Sequence, residues 1–191
     1  MRRVGVLALQ GAFREHVAFI NRLGVEAVEI RRAAQLDTVD GLIMPGGEST
    51  TVGKLAVKYD LLDPIREMAR GGAPVWGTCA GMILLAKDVH RDQPLLEIMD
   101  IQVQRNAFGR QVDSFEADLD VPALGGEPFR AIFIRAPLIE SVGPDVDVVA
   151  RLDDGTIVAA RQGNLLATSF HPELTDDSRF HALFLHMHNG G

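Results

Sequence analysis

Val75-Trp76-Gly77-Thr78-Cys79-Ala80-Gly81-Met82-Ile83-Leu84-Leu85 joins an apolar strand, running up to Gly77, to a helical pattern that starts at Ala80. Cys79 stands at the joint, with a glycine two residues before it and another two residues after it. This is the G-x-Cys-x-G form of the G-x-Ser-x-G nucleophile elbow. A sharp strand-to-helix turn brings neighbouring segments together, and glycine fits where a side chain would clash. The turn lifts the sulfur clear of the sheet. It also sets the sulfur at a helix N-terminus, where unpaired N–H groups and the dipole favour a thiolate. A free cysteine is more often a small buried apolar residue, so a nucleophile here requires partners elsewhere in the chain.

Working outward, residues 4–9 are a continuous apolar run, as expected of a strand covered on both faces. Residues 12–23 put Phe13, Val17 and Ile20 on one helical face, and Gly24 closes that helix. Residues 25–30 and 41–44 read as the second and third strands, the latter ending at Pro45-Gly46-Gly47. Residues 50–59 and 62–70 are helical, and residues 75–77 form the fourth strand. This alternation predicts an α/β domain with a parallel sheet. After about residue 98 the pattern changes. Short strands are expected at 101–105, 114–121, 130–134, 146–152, 156–161 and 165–170, partly antiparallel, with hairpin turns at Asp153-Asp154-Gly155 and Gly163-Asn164. A closing helix over 176–188 carries Phe180, Leu183, Phe184 and Met187.

The length of 191 residues fits one domain, here 1–191, and the 47% hydrophobic content supports a sizeable core. A formal net charge of -7 argues against nucleic acid as a partner. One cysteine excludes an internal disulfide and, with histidines elsewhere, suggests an intracellular enzyme. The first apolar run is too short for a signal peptide core or a membrane span. A soluble, cytoplasmic protein is expected.

A second informative stretch is Ser169-Phe170-His171-Pro172-Glu173. Residues two apart in an extended chain point the same way, so His171 and Glu173 share a face. Histidine is the usual base for a cysteine nucleophile, and a carboxylate on its other nitrogen fixes tautomer and orientation. Alone, such a pair reads as a surface hydrogen bond. With the elbow it describes a triad, Cys79, His171 and Glu173.

A third stretch, Pro45-Gly46-Gly47-Glu48-Ser49-Thr50-Thr51, follows a strand and precedes a helix. Its backbone N–H groups suit an oxyanion or a substrate carboxylate, with the N–H of Ala80 as a second oxyanion donor. A plain turn with Ser49 or Thr50 as the N-cap is the alternative. The run from Gly47 to Gly53-Lys54 imitates a phosphate loop, but has five residues between its glycines and Leu55 where magnesium needs a hydroxyl. His181, His186 and His188 lack the spacing for three metal ligands on one helical face and read as positive charge near a helix C-terminus. No metal or cofactor is expected. His16, beside Glu15, reads as part of a solvated face, and Asp113, Glu116, Asp118 and Asp120 as the wet side of a strand.

Gly77-Thr78-Cys79-Ala80-Gly81 and Ser169-Phe170-His171-Pro172-Glu173 together resemble the class I, triad-type glutamine amidotransferases. Several further stretches resemble, within that class, the glutaminase subunits of pyridoxal 5'-phosphate synthases. They are residues 5–11, 45–51, 105–116 and 133–137. The resemblance implies a three-layer α/β domain with a mixed, mostly parallel central sheet flanked by helices. It implies hydrolysis of L-glutamine, with Cys79 attacking the side-chain amide, His171 moving the proton and Glu173 orienting His171. By similarity Gly47 and Ala80 form the oxyanion hole, and Gly47, Glu48, Ser49, Arg105, Ile134 and Arg135 line the glutamine pocket. The implied partner is a separate (β/α)8-barrel synthase subunit that receives the ammonia, with Gln10 and the Gly46–Gly47 peptide near the interface. A subunit feeding another synthase, such as that for imidazole glycerol phosphate, fits the 105–116 stretch less well. A non-catalytic regulatory subunit fits poorly with an intact Cys79, His171 and Glu173.

Overall fold

Hydrophobic periodicity sets the architecture of the computed structural model, which describes residues 1–105 and 114–187. In chain order the first half contains β1 (Arg3–Leu7), α1 (Phe13–Arg22), β2 (Glu26–Ile30), β3 (Gly41–Met44), α2 (Ser49–Lys58), α3 (Leu62–Arg70), β4 (Val75–Thr78) and α4 (Ala80–Leu85). Then come β5 (Ala86–Asp88), β6 (Met99–Gln104), β7 (Ser114–Leu119), β8 (Phe129–Ile134), β9 (Leu138–Val142), β10 (Asp147–Arg151), β11 (Ile157–Gln162), β12 (Leu165–Thr168) and α5 (Arg179–His186).

The main sheet runs β2-β1-β3-β4-β12-β11-β9-β6-β5, with β10 paired to β11. From β2 to β12 every neighbour is parallel. β11 is antiparallel to β12, β9 and β10. β7 and β8 form a separate antiparallel hairpin. Alternate residues of the parallel strands point to opposite faces. Leu42, Met44 and Val75 thus join one buried cluster with α2, α3 and α4. Val4, Val6, Ile43 and Trp76 join a second, with Ile20 of α1, the β8 phenylalanines and Phe180 and Phe184 of α5. The result is a mixed sheet of mostly parallel strands flanked by helices, as expected.

Two differences from the sequence reading stand out. β5 and β9 were not anticipated. β9 has no clean alternation, with Glu140 and Ser141 side by side on its exposed run, and exists because β6 and β11 bond to it from either side. The closing helix begins at Arg179 rather than 176, because Asp177 is occupied in accepting the backbone N–H and guanidinium of Arg179. Most of the family-resembling 105–116 stretch, together with Asp113 and His188, lies outside the described residues. Glu116, Asp118 and Asp120 are exposed, as expected. Among the described residues no helix is long and apolar enough to cross a membrane.

Candidate active site

Cys79 occupies a backbone conformation that L-residues rarely adopt, with φ 49° and ψ -106°. Three contacts hold it there. Its N–H donates to the carbonyl of Thr168 at 2.8 Å, tying the elbow to the end of β12. A Cβ on Gly77 would stand 2.5 Å from the carbonyl carbon and oxygen of Gly81. A Cβ on Gly81 would be driven into the carbonyl oxygen of Met44. The two glycines of the elbow are therefore required by close backbone approach. The sulfur lies 3.9 Å from the Ile134 carbonyl oxygen.

The parallel pairing of β4 with β12 delivers the second group. Thr78 is in register with Thr168, so three residues past the strand His171 emerges beside the elbow. The His171 N–H is anchored on the Ile132 carbonyl at 2.8 Å. His171 Nδ1 lies 2.7 Å from Glu173 Oε1, the contact expected from their spacing. The Gly46 backbone presses on this pair, since a Cβ there would be 2.5 Å from His171 Cε1 and 3.3 Å from Cys79 Cβ. Burial alone would lower the His171 pKa, but hydrogen bonds to Cys79 and Glu173 and the charges of both win, raising it to about 10. Burial would raise the Glu173 pKa, but the facing His16 imidazole and then the hydrogen bond and charge of His171 hold it far below the usual carboxylate range.

Cys79 and His171 open onto a cavity of about 420 Å³. Gly47, Glu48, Ser49, Arg105, Ile134 and Arg135, the residues singled out for a glutamine pocket, all line it, and so do Ala80 and Gln10. Glu48 is the N-cap of α2, not Ser49 or Thr50. Its carboxylate accepts from the N–H groups of Thr50 and Thr51, at 3.2 and 2.7 Å, and from the Thr51 hydroxyl. The longer side chain reaches the N–H groups of the second and third helical residues from outside, which leaves Ser49 inside the first turn. Burial opposes ionisation of Glu48, but these donors from Thr51 and Thr50 bring its pKa down to about 2. The same carboxylate holds Arg105 Nη2 at 3.0 Å, while Arg105 Nη1 reaches Gln93 Oε1 at 2.9 Å and Thr50 Oγ1 at 3.2 Å. Gln10 Oε1 accepts the Glu48 N–H at 2.8 Å, and the Gly46 carbonyl accepts the Ala12 N–H at 3.0 Å. Among the described residues no group of three or more His, Cys, Asp or Glu could hold a metal ion.

A nucleophile elbow, a histidine–carboxylate pair and an arginine-bearing cavity thus meet at the C-terminal edge of a parallel sheet, where open α/β sheets place their sites. The SNO glutamine amidotransferase family model matches residues 6–189. The chain belongs to this family. It is 62% identical over 186 residues to the pyridoxal 5'-phosphate synthase subunit PdxT of Moorella thermoacetica, covering 97% of this chain and 98% of that one. It is 60% identical over 188 residues to the subunit of the same name from Dehalococcoides mccartyi, covering 97% and 96%. A crystal structure of glutamine amidotransferase superposes with a TM-score of 0.93 at 50% identity, over 97% of this chain and 98% of that one. The structure of PurLQS from Thermotoga maritima, at 17% identity and TM-score 0.72 over 97% and 98% of the two chains, shares the fold.

This amidotransferase chain also departs from two expectations at its site. His16 is not on a solvated face but fully buried. Its Nε2 lies 3.3 Å from Glu173 Oε2 and 3.3 Å from Thr78 Oγ1, and its Nδ1 lies 3.1 Å from His181 Nε2. His181 is not a positive charge at a helix end. It is buried, stacked flat on Phe19 with ring centroids 4.0 Å apart, and burial followed by the facing His16 lowers its pKa to about 3. The signal was present. His16 sits three residues after Phe13 and four before Ile20, on the apolar face of α1, and His181 sits three before Phe184.

Proposed function

We propose that this chain, as one amidotransferase domain over residues 1–191, hydrolyses L-glutamine to L-glutamate and ammonia at Cys79 and passes the ammonia to a separate synthase subunit making pyridoxal 5'-phosphate. The observation that carries this reading is the Cys79, His171 and Glu173 constellation opening onto the cavity that contains Arg105 and Glu48. The names of the PdxT relatives support the biosynthetic context.

On this reading the steps are as follows. A thiolate on Cys79 attacks the side-chain amide carbon of glutamine, and the carbonyl electrons move to oxygen. The N–H groups of Gly47 and Ala80 stabilise that oxyanion. Among the described residues neither donates to a protein acceptor. Imidazolium at His171, favoured by a pKa raised to about 10, gives its proton to the leaving nitrogen as the C–N bond breaks. Ammonia departs and a thioester remains. His171, now neutral, takes a proton from water, whose oxygen attacks the thioester, and the thiol leaves as glutamate forms. Glu173 keeps the His171 ring in the tautomer that faces sulfur. A guanidinium, at Arg105 or Arg135, meets the substrate α-carboxylate, and Glu48 complements its ammonium.

The partner reading is a (β/α)8-barrel synthase docking on the Gln10 and Gly46–Gly47 side of the cavity, with no nucleic acid and no membrane involved, in the cytoplasm. The test is ammonia release from L-glutamine by the chain alone and with the cognate synthase subunit, with Cys79→Ala as control. Activation by the synthase that the variant lacks is expected. No glutamine-dependent ammonia under either condition overturns the reading.

A further inference from the structure

Resting on the glutaminase reading above, we infer that His16 is a positioning residue for the triad, fixing Glu173 through the carboxylate oxygen that His171 leaves untouched. A carboxylate held at Oε1 alone can still swing about its last torsion, which is broad and soft. Swinging it would carry the bonded His171 ring away from sulfur. The second oxygen, Oε2, is sealed from solvent, and a buried carboxylate oxygen facing no donor is costly. Oε2 makes no hydrogen bond, and the one donor group facing it among the described residues is His16 Nε2, 3.3 Å away, whose hydrogen bond goes to Thr78 Oγ1 at the same distance. Thr78 immediately precedes the nucleophile. One imidazole, brought in from α1, therefore touches both arms of the site: the strand end that carries Cys79 and the carboxylate behind the base.

One assignment of ring protons turns a donor toward Glu173 Oε2, while His181 Nδ1 has no partner in either tautomer. Neutral His181 gives its Nε2–H to His16 Nδ1, 3.1 Å away. That leaves the proton of His16 on Nε2, bonded to Thr78 Oγ1 and with Glu173 Oε2 equally near at 3.3 Å, within reach of a small ring rotation. His171 Nδ1–H points at Oε1 from the other side. The reverse tautomer of His16 would aim a nitrogen lone pair at a carboxylate. His181 is thereby the group that sets the His16 tautomer, and its own ring is clamped between Phe19 and the edge of Trp76, centroids 5.1 Å apart.

Two measurements test this. In the full chain labelled with 15N-histidine, ring correlation spectra should show His16 protonated at Nε2 with Nδ1 bare. A proton on Nδ1 facing His181, with Nε2 bare, overturns the inference whatever the enzyme does. The second measurement uses the complex with the synthase subunit. His16→Leu, which removes the donor at similar volume, should lower kcat for glutamine about tenfold or more while KM changes less than about threefold. His16→Gln, whose amide N–H2 reaches the same point, should restore most of kcat. Unchanged kcat in the leucine variant overturns the inference. So does equal loss in both variants when both melt near the parent temperature. If the parent complex itself releases no ammonia, the glutaminase reading falls, and the tautomer measurement still decides the His16–Glu173 contact.

Discussion

Gly46→Ala isolates the geometry of the base. The added Cβ would stand 2.5 Å from His171 Cε1, 3.1 Å from Nδ1 and 3.3 Å from Cys79 Cβ. Carbon atoms rest about 3.5–4.0 Å apart, so either the ring or the Gly46–Gly47 peptide must retreat by about 1 Å. Gly46 is not among the residues with positive φ, so the backbone itself accepts alanine and the effect comes from the contact. The ring has little room to yield, because Nδ1 is held by Glu173 at 2.7 Å and the backbone N–H by Ile132 at 2.8 Å. A displacement of about 1 Å at a catalytic group costs about 100-fold in rate, or about 2.7 kcal/mol of barrier. Crowding of this kind also costs stability, about 1–3 kcal/mol. The assay is steady-state ammonia release in the synthase complex, with a urea melt of the same preparation. The expected result is kcat down about 100-fold, with KM for glutamine within a few-fold and a cooperative melt retained. A folded variant with kcat within threefold of the parent would refute the claim that Gly46 packs against His171.

Three other outcomes are expected. Gly81→Ala forces a Cβ into the Met44 carbonyl, backbone against backbone, and should lower stability by about 3 kcal/mol or more, read as the shift of the urea midpoint. Glu48→Gln weakens the cap of α2 and the hold on Arg105, costing about 1 kcal/mol at pH 7 and raising KM for glutamine. Because the Glu48 pKa is depressed from 4.5 to about 2, the ionised cap stabilises the fold above the unfolded value and loses that effect as pH falls through the folded one. The gap between parent and variant in thermal melts should therefore shrink from pH 4.5 downward; a constant gap contradicts the capping role. Glu173→Gln removes the charge that helps raise His171 to about 10 and leaves a neutral, weaker acceptor for Nδ1–H, the contribution of Cys79 remaining, so the ring should titrate at lower pH by NMR. An unmoved titration would show that Glu173 does not act on the ring.

The elbow was legible because everything it needs is within five residues: a strand, two glycines and a cysteine. The His171–Glu173 contact was legible for the same reason, as a spacing of two in an extended chain. Arg105 and Glu48 entered through family resemblance, since their ion pair spans 57 positions and no local pattern joins them. His16 escaped because its sequence neighbour, Glu15, is polar and drew attention from the apolar face on which the histidine lies. What decides its surroundings is the packing of α1 and α5 over β4, a contact between distant segments. The capping of α2 by Glu48 was misassigned because serine and threonine are the commoner caps and both follow it directly.

β12 has a consequence for how this protein is made. It is the last strand in sequence among the described residues, yet it lies in the middle of the sheet, between β4 and β11. A chain leaving the ribosome N-terminus first can assemble β1 to β4 and bend the elbow, but β4 then presents an open edge until residue 165 arrives. Until then the thiol has no imidazole beside it, since His171, its proposed base, enters only on the heels of β12. Nascent or truncated chains are thus chemically unarmed but carry a bare strand edge that invites mispairing. The step that arms the thiol is the same one that closes the sheet.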